Sequence, residues 1–378
     1  MTSGVTALIF LGVNGTTPVE ALVDRAREAI ALDTVERLLQ VPACQRIIVA
    51  TNSPALLRTL RDYPVVLAPD GARFHFGERL RDLIREHRVR HALYLGGGSG
   101  PLLTTADLAR LCERLLASEN TVIANNFFSA DFVAFTPGEA IARLSPPALD
   151  NDLAFSLVRQ GGLQYQPLPR TPATLLDVDT PTDLLVLALH PGTGRHTRRY
   201  LATLDLDLSR LRAAMACLTD PQSEVVIAGR LGPHLWAQLD QDLACRKRVF
   251  SEERGMRASG RADRGEVRSL VGFLLEALGP TAFFERLAAL GQAAFLDSRV
   301  LFAHLGRPAS RADRFHADLL QAEAVQDPVV RDLTAAARAA PIPVVLGGHS
   351  LVAGGIWALA EAAWLARDRA AAIVGERA

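Results

Sequence analysis

Lysine is almost missing from this chain. Of 378 residues and 41 basic side chains, Lys247 is the one lysine, so nearly every cationic contact falls to arginine. The first half therefore holds no compact ammonium for a phosphate, whereas arginine offers a planar fork suited to phosphate and carboxylate. Net charge is lacking too: 41 basic and 41 acidic residues cancel, and bulk electrostatics gives no reason to expect nucleic acid as a partner. Four cysteines, Cys44, Cys112, Cys217 and Cys245, lie far apart with no C-x-x-C. That spacing argues against a disulfide frame or a compact zinc site and fits reduced, buried thiols. No apolar run approaches the ~18 residues of a membrane span. The opening MTSGVTALIFLGVNG has no basic segment ahead of its strand-length apolar run. A cytoplasmic protein without a membrane partner is the expectation.

What is present is ordinary globular material, 49% hydrophobic and 22% charged, long enough for two domains. Through residue 190, short β-branched runs alternate with amphipathic stretches, the pattern of a mostly parallel sheet covered by helices. Strands are expected at 5–11, 46–51, 65–68, 92–95, 121–124, 132–135 and 175–178. Helices are expected at 18–39, from Pro54, and at 76–87, 106–116, 151–159 and 181–189. His190-Pro191-Gly192-Thr193-Gly194 breaks this pattern and marks a boundary between domains 1–190 and 191–378. Beyond it the chain reads as mainly helical, at 196–204, 208–218, 233–243, 267–278, 281–289 and 327–339. One late strand, 343–346, precedes an alanine-rich helix at 351–371. Trp357 and Trp364 on that helix leave two roles open, packing on the first domain or a homodimer face.

Two segments carry the chemistry of the first half: LYLGGGSGPLLTTADL from Leu93 to Leu108 and LLDVDTPTDL from Leu175 to Leu184. Together they resemble the nucleotidyltransferases of the GT-A-like fold, the group containing molybdenum-cofactor guanylyltransferase and phospholactate guanylyltransferase. The resemblance covers residues 5–190. It implies an α/β fold: an N-terminal Rossmann-like, GT-A nucleotidyltransferase-type domain with a mostly parallel sheet, followed here by a mainly α-helical C-terminal domain. Members typically end a strand in Gly-Asp-x-Pro-Leu-Leu, where the Asp holds Mg²⁺. Aligned on Pro101-Leu102-Leu103, that position is Ser99 here, and a neutral hydroxyl is a weak substitute for a hard anionic ligand. Asp177 and Asp179 remain as the matching carboxylates for catalysis and for Mg²⁺, with Asp131 as a further candidate. Asp179-Thr180-Pro181 also reads as a helix start. The resemblance assigns nucleotide binding to Gly12, Asn14 and Gly15 after the first strand, and to Gly97, Gly98 and Ser99. The cations expected near the first loop are missing, and Arg25 and Arg27 read as a solvated helix face. Asn125 and Asn126 either contact substrate or satisfy a turn.

The second half resembles no family, yet it concentrates arginine, histidine and aspartate. Asp297, Arg299 and His304 fall in an apolar stretch, where charges need partners. With Arg254, Arg314 and His349 they form either an internal salt-bridge network or an anion pocket. Gly347-Gly348-His349-Ser350 sits between a strand and a helix, a place where backbone N–H groups hold anions. His304 and His316 with Asp313 or Asp318 are a weaker metal candidate. Three functions follow. One is a degenerate nucleotidyltransferase-like protein that binds a nucleotide or phosphorylated small molecule without metal-dependent transfer. Another is an active, Mg²⁺-using, NTP-dependent nucleotidyltransferase acting on a small phosphorylated acceptor. The last is an enzyme whose site is the C-terminal Arg/His/Asp group.

Overall fold

The computed structural model describes residues 4–71 and 73–375. The chain divides into two compact units. One is built from residues through 15, 24–177 and 194–200; the other from 16–23, 178–193 and 201 onward.

The first unit is organised on seven strands: β1 (Val5–Leu11), β2 (Cys44–Thr51), β3 (Val66–Pro69), β4 (His91–Gly96), β5 (Thr121–Ala124), β6 (Phe132–Thr136) and β7 (Gln164–Pro167). They lie in the order β3-β2-β1-β4-β6-β5-β7. All pairings are parallel except those of β6, which runs antiparallel to β4 and β5. Both faces are buried because side chains alternate along each strand. Ala7, Ile9, Leu11, Leu93 and Leu95 enter one core, and Leu8, Phe10, Ala92 and Tyr94 the other. The expected Rossmann-like architecture is present.

The second unit is mainly helical and carries a four-stranded parallel sheet. Its strands are β8 (Glu224–Gly229), β9 (Arg246–Ser251), β10 (Ala293–Asp297) and β11 (Val344–Gly347), in the order β11-β10-β8-β9. Helices around it include Ser209–Leu218, Pro233–Asp242, Ser298–His304, Arg311–Asp318 and Pro328–Ala339. No helix among the described residues is long and apolar enough to cross a membrane.

Several local expectations are corrected. Residues 175–178 are not a strand: Pro172–Leu175 is a helical turn capped by Thr171, and only Asp177 bridges, to Ser99. β7 replaces it at the sheet edge, where its polar residues Gln164 and Gln166 hid it. The two helices expected at 267–278 and 281–289 are present within Leu270–Ala288, separated by the non-helical Gly279 (φ 74°) ahead of Pro280. β8, β9 and β10 were not foreseen. Trp364 donates its indole N–H to the Asp242 carbonyl (2.8 Å), so that side of the last helix packs within the second unit.

Candidate functional site

β1 delivers Gly12, Asn14 and Gly15 to its carboxyl end, where parallel sheets bind ligands. In this loop the backbone donors already have acceptors. Asp24 Oδ2 accepts from Asn14 N (3.0 Å) and Gly15 N (2.6 Å). Asn52 accepts from Val13 N (2.8 Å) and donates back to its carbonyl (3.1 Å). An internal carboxylate thus sits where an anion would meet those N–H groups.

The glycine run after β4 is packed, and Gly97, Gly98 and Ser99 are buried. Gly97 N donates to Phe10 O (2.8 Å), and a Cβ on Gly97 would run into the Leu11 side chain. Close approach of protein to backbone explains this glycine. Ser99 Oγ donates to the Asp131 carbonyl (2.8 Å), and its backbone forms the isolated bridge to Asp177. Asn125 fixes the next loop, donating to Asp131 Oδ2 (2.8 Å) and Thr174 O (3.0 Å) and accepting from Asp131 N (3.1 Å). Tyr94 donates to Asp150 Oδ2 (2.7 Å). Burial first, then the charges of Asp150, Asp177 and Asp131, raises the Tyr94 phenol well above its ordinary range. Three carboxylates therefore share one neighbourhood around Ser99 and Tyr94.

Asp179 lies in the second unit, where its N–H donates to Asp183 Oδ2 (3.0 Å). Thr180, not Asp179, is the N-cap of Pro181–Leu189, in a capping box with Asp183. Asp183 is fully buried and also accepts from Ser350 Oγ (2.5 Å). For Mg²⁺ the fit is partial: Asp177 keeps Asp131 and Asp150 nearby, but the hydroxyl at position 99 is spent on a carbonyl. Among the described residues, the group of three whose ligand atoms lie within 4.8 Å of one another is Asp33, Glu36 and His196. That cluster is capable of coordinating a metal ion. Asp33 is buried and caps Arg195–Leu201, accepting from His196 N (2.9 Å), Thr197 N (3.0 Å) and Thr197 Oγ1 (2.7 Å). The Arg195 hydrogen bonds, against burial and helped by His196 and Tyr63, hold Glu36 at about 2. A metal there would have to displace Arg195. Sequence spacing gave no sign of this cluster, since His196 lies 160 residues from Glu36.

In the second unit the chain leaves β8 toward β9 on one side and toward β10 and β11 on the other. The switch point lies at the carboxyl ends of β8 and β10, where such folds bind ligands. Asp297 ends β10, fully buried, and takes Arg230 in a two-pronged pair (2.5 and 3.0 Å). Burial opposes its ionisation, but Arg230, His349 and Arg299 hold its pKa below the ordinary value. Arg299 is paired with Asp318 (2.5 and 2.6 Å). His349 follows β11; crowding by protein atoms first, then the Arg230 charge, lowers its imidazole pKa. Arg314 donates to the Ala309 carbonyl (2.9 Å), and burial with Arg299 and Arg257 lowers its pKa. Arg254 reaches this edge from beyond β9 and lies near Gly232.

His304 is the exception. It faces the opposite end of Ser298–His304, accepting from Ser269 N (3.0 Å), stacked edge-on to Phe273 and 3.4 Å from Glu276. His316 bonds Gln321 (2.8 Å) and Asp313 accepts from Gln326 N (2.6 Å); among the described residues, neither His304 nor His316 joins Asp313 or Asp318 in a group of metal-ligating atoms. Arg230, which completes the Asp297 pair, was missed because it stands at the end of an unforeseen strand.

No protein-family model and no curated protein matches the sequence. Among solved structures, the chain is similar to CMP:2-keto-3-deoxy-manno-octonic acid synthetase complexed with CTP, at 17% identity over 48% of this chain and 95% of that one, with a TM-score of 0.36. It is similar to a cytidylyltransferase from Leptospira borgpetersenii, at 15% identity over 53% and 92%, with a TM-score of 0.40. It is also similar to Rv0371c from Mycobacterium tuberculosis, at 19% identity over 53% and 99%, with a TM-score of 0.36. Likeness at this level speaks to neither substrate nor chemistry.

Proposed function

We propose that this protein is a nucleotidyltransferase-like chain that binds a nucleotide or phosphorylated small molecule without standard metal-dependent transfer. The observation that carries the reading is the group of Arg254, Arg299 and Arg314 beside His349 at the carboxyl edge of the second sheet, where the arginines outnumber the carboxylates paired with them. Arginine forks and a neutral imidazole suit a phosphoryl group. The first unit supports the second clause: Asp24 fills its loop, and Ser99 lacks the charge a divalent ion needs.

The test is a thermal-shift series with nucleoside triphosphates and with inorganic phosphate, each with and without Mg²⁺, since a ligand of the native state raises the melting temperature. The expected result is a shift of the same size with and without the ion. No shift with any phosphoryl compound would end the reading. A second reading, active transfer, is favoured by Asp131, Asp150 and Asp177 around Tyr94. There Asp177 and its neighbours would hold Mg²⁺, which would supply charge neutralisation on the triphosphate. A shift that appears only with Mg²⁺ would select it.

A further inference from the structure

The segment between β9 and the helix beginning at Leu270 carries five arginines, Arg254, Arg257, Arg261, Arg264 and Arg268. Three are held inside the segment itself. Arg261 grips Glu253 (2.6 and 3.0 Å), Arg264 grips Glu266 (3.0 and 2.8 Å), and Arg268 bonds the Gly265 and Val267 carbonyls (2.9 and 2.6 Å). Arg254 and Arg257 are different. Both are exposed, and neither side chain makes a hydrogen bond or ion pair among the described residues.

Arg254 reaches the carboxyl edge of the second sheet, and Arg257 follows it three residues on in the same segment. A Cβ on Gly232, three residues past the end of β8, would lie 3.7 Å from the Arg254 guanidinium. Between the two arginines Met256 is buried with Val267 and Val300, which ties this stretch to the helix that carries Arg299. Arg254 adds its charge to the field on His349, and Arg257 adds its own to the field on Arg314.

The charges at this edge do not balance. Arg230 is matched by Asp297 and Arg299 by Asp318. Arg314 has no ion-pair partner among the described residues, its bond being to a carbonyl. Three guanidiniums, on Arg254, Arg257 and Arg314, face one carboxylate without a cation partner among the described residues, Glu252, which lines the same edge and accepts from the Ser269 hydroxyl and the Leu270 N–H. The excess of about two positive charges repels unless an anion joins it.

Resting on the reading above, we propose that Arg254, Arg257 and Arg314 grip the phosphoryl portion of a small molecule carrying about two negative charges, a phosphate monoester or a diphosphate. A singly charged carboxylate leaves the site cationic and is the poorer fit.

Calorimetric titration of the full chain with inorganic phosphate and with pyrophosphate, at one ionic strength, tests this. The variants are Arg254→Gln, Arg257→Gln and, as control, Arg264→Gln, whose side chain is occupied inside its own segment. Wild type should bind, with a pyrophosphate preference assigning the diphosphate and equal affinities the monoester. Arg254→Gln and Arg257→Gln should each weaken binding about tenfold or more, and Arg264→Gln by less than about twofold. Equal weakening in all three would reduce the effect to surface charge and overturn the assignment. Undiminished binding in Arg254→Gln and Arg257→Gln would overturn it while leaving the wider reading intact. Silence from wild type with both anions would overturn both. Melting temperatures of Arg254→Gln and Arg257→Gln, expected to match wild type because neither arginine has a partner to lose, separate weak binding from misfolding.

Discussion

Asp183 shows how one buried side chain can tie a motif to the fold. It accepts from the backbone of Asp179 and Thr180 and from the hydroxyls of Thr180 and Ser350. Burial nevertheless pushes its carboxyl up to about 6, with the Asp179 charge acting in the same direction. An acid whose folded value exceeds its ordinary 3.8 takes up a proton on folding between the two values. Its contribution to stability is fully present below the unfolded value and is lost as pH rises through the folded one. Asp183→Asn removes that titration. In urea unfolding between about pH 5 and about pH 7.5, wild type should lose stability relative to the variant on the order of 1 kcal/mol. Parallel pH profiles would show that Asp183 titrates as it does in the unfolded chain.

At the scale of elements, the loop after β1 is the instructive case. Glycines at 12 and 15 signal a backbone able to approach an anion, and both lie in the loop that follows β1. What the sequence could not disclose is that Asp24, on the following helix, turns its carboxylate back onto the Asn14 and Gly15 N–H groups. Asp24→Ala should leave two backbone donors without their acceptor and cost about 1–3 kcal/mol in urea unfolding, with faster amide exchange at Asn14 and Gly15. Unchanged exchange at both would mean the carboxylate does not hold the loop. The same contrast runs through the fold. β1, β2, β4, β5 and β6 were legible because they are apolar and buried on both faces. β7 and β9 were not, since Gln164, Gln166, Arg246, Lys247 and Arg248 give an edge strand the look of a polar loop. β8 and β10 are apolar, but each is only five or six residues long and flanked by helical stretches, so periodicity could not separate them from helix. The site suffered accordingly: Asp297, Arg299 and His349 were found as residue types, but the sheet edge that gathers them, with Arg230 as partner, was not.

For the whole molecule, each unit presents its own candidate. The first brings Asp131, Asp150 and Asp177 near Ser99 and Tyr94 and separately builds the Asp33, Glu36 and His196 cluster. The second gathers arginines at the switch point of a parallel sheet. The two make opposite demands on a divalent ion, and that difference is measurable in one titration. Wild type and Asp177→Asn should be titrated with pyrophosphate in the presence of EDTA. If the second sheet's edge is the anion site, both proteins bind with the same affinity and Mg²⁺ is not needed. Binding that is absent in EDTA, restored by Mg²⁺ and lost in Asp177→Asn would contradict the account and return the chemistry to the first unit.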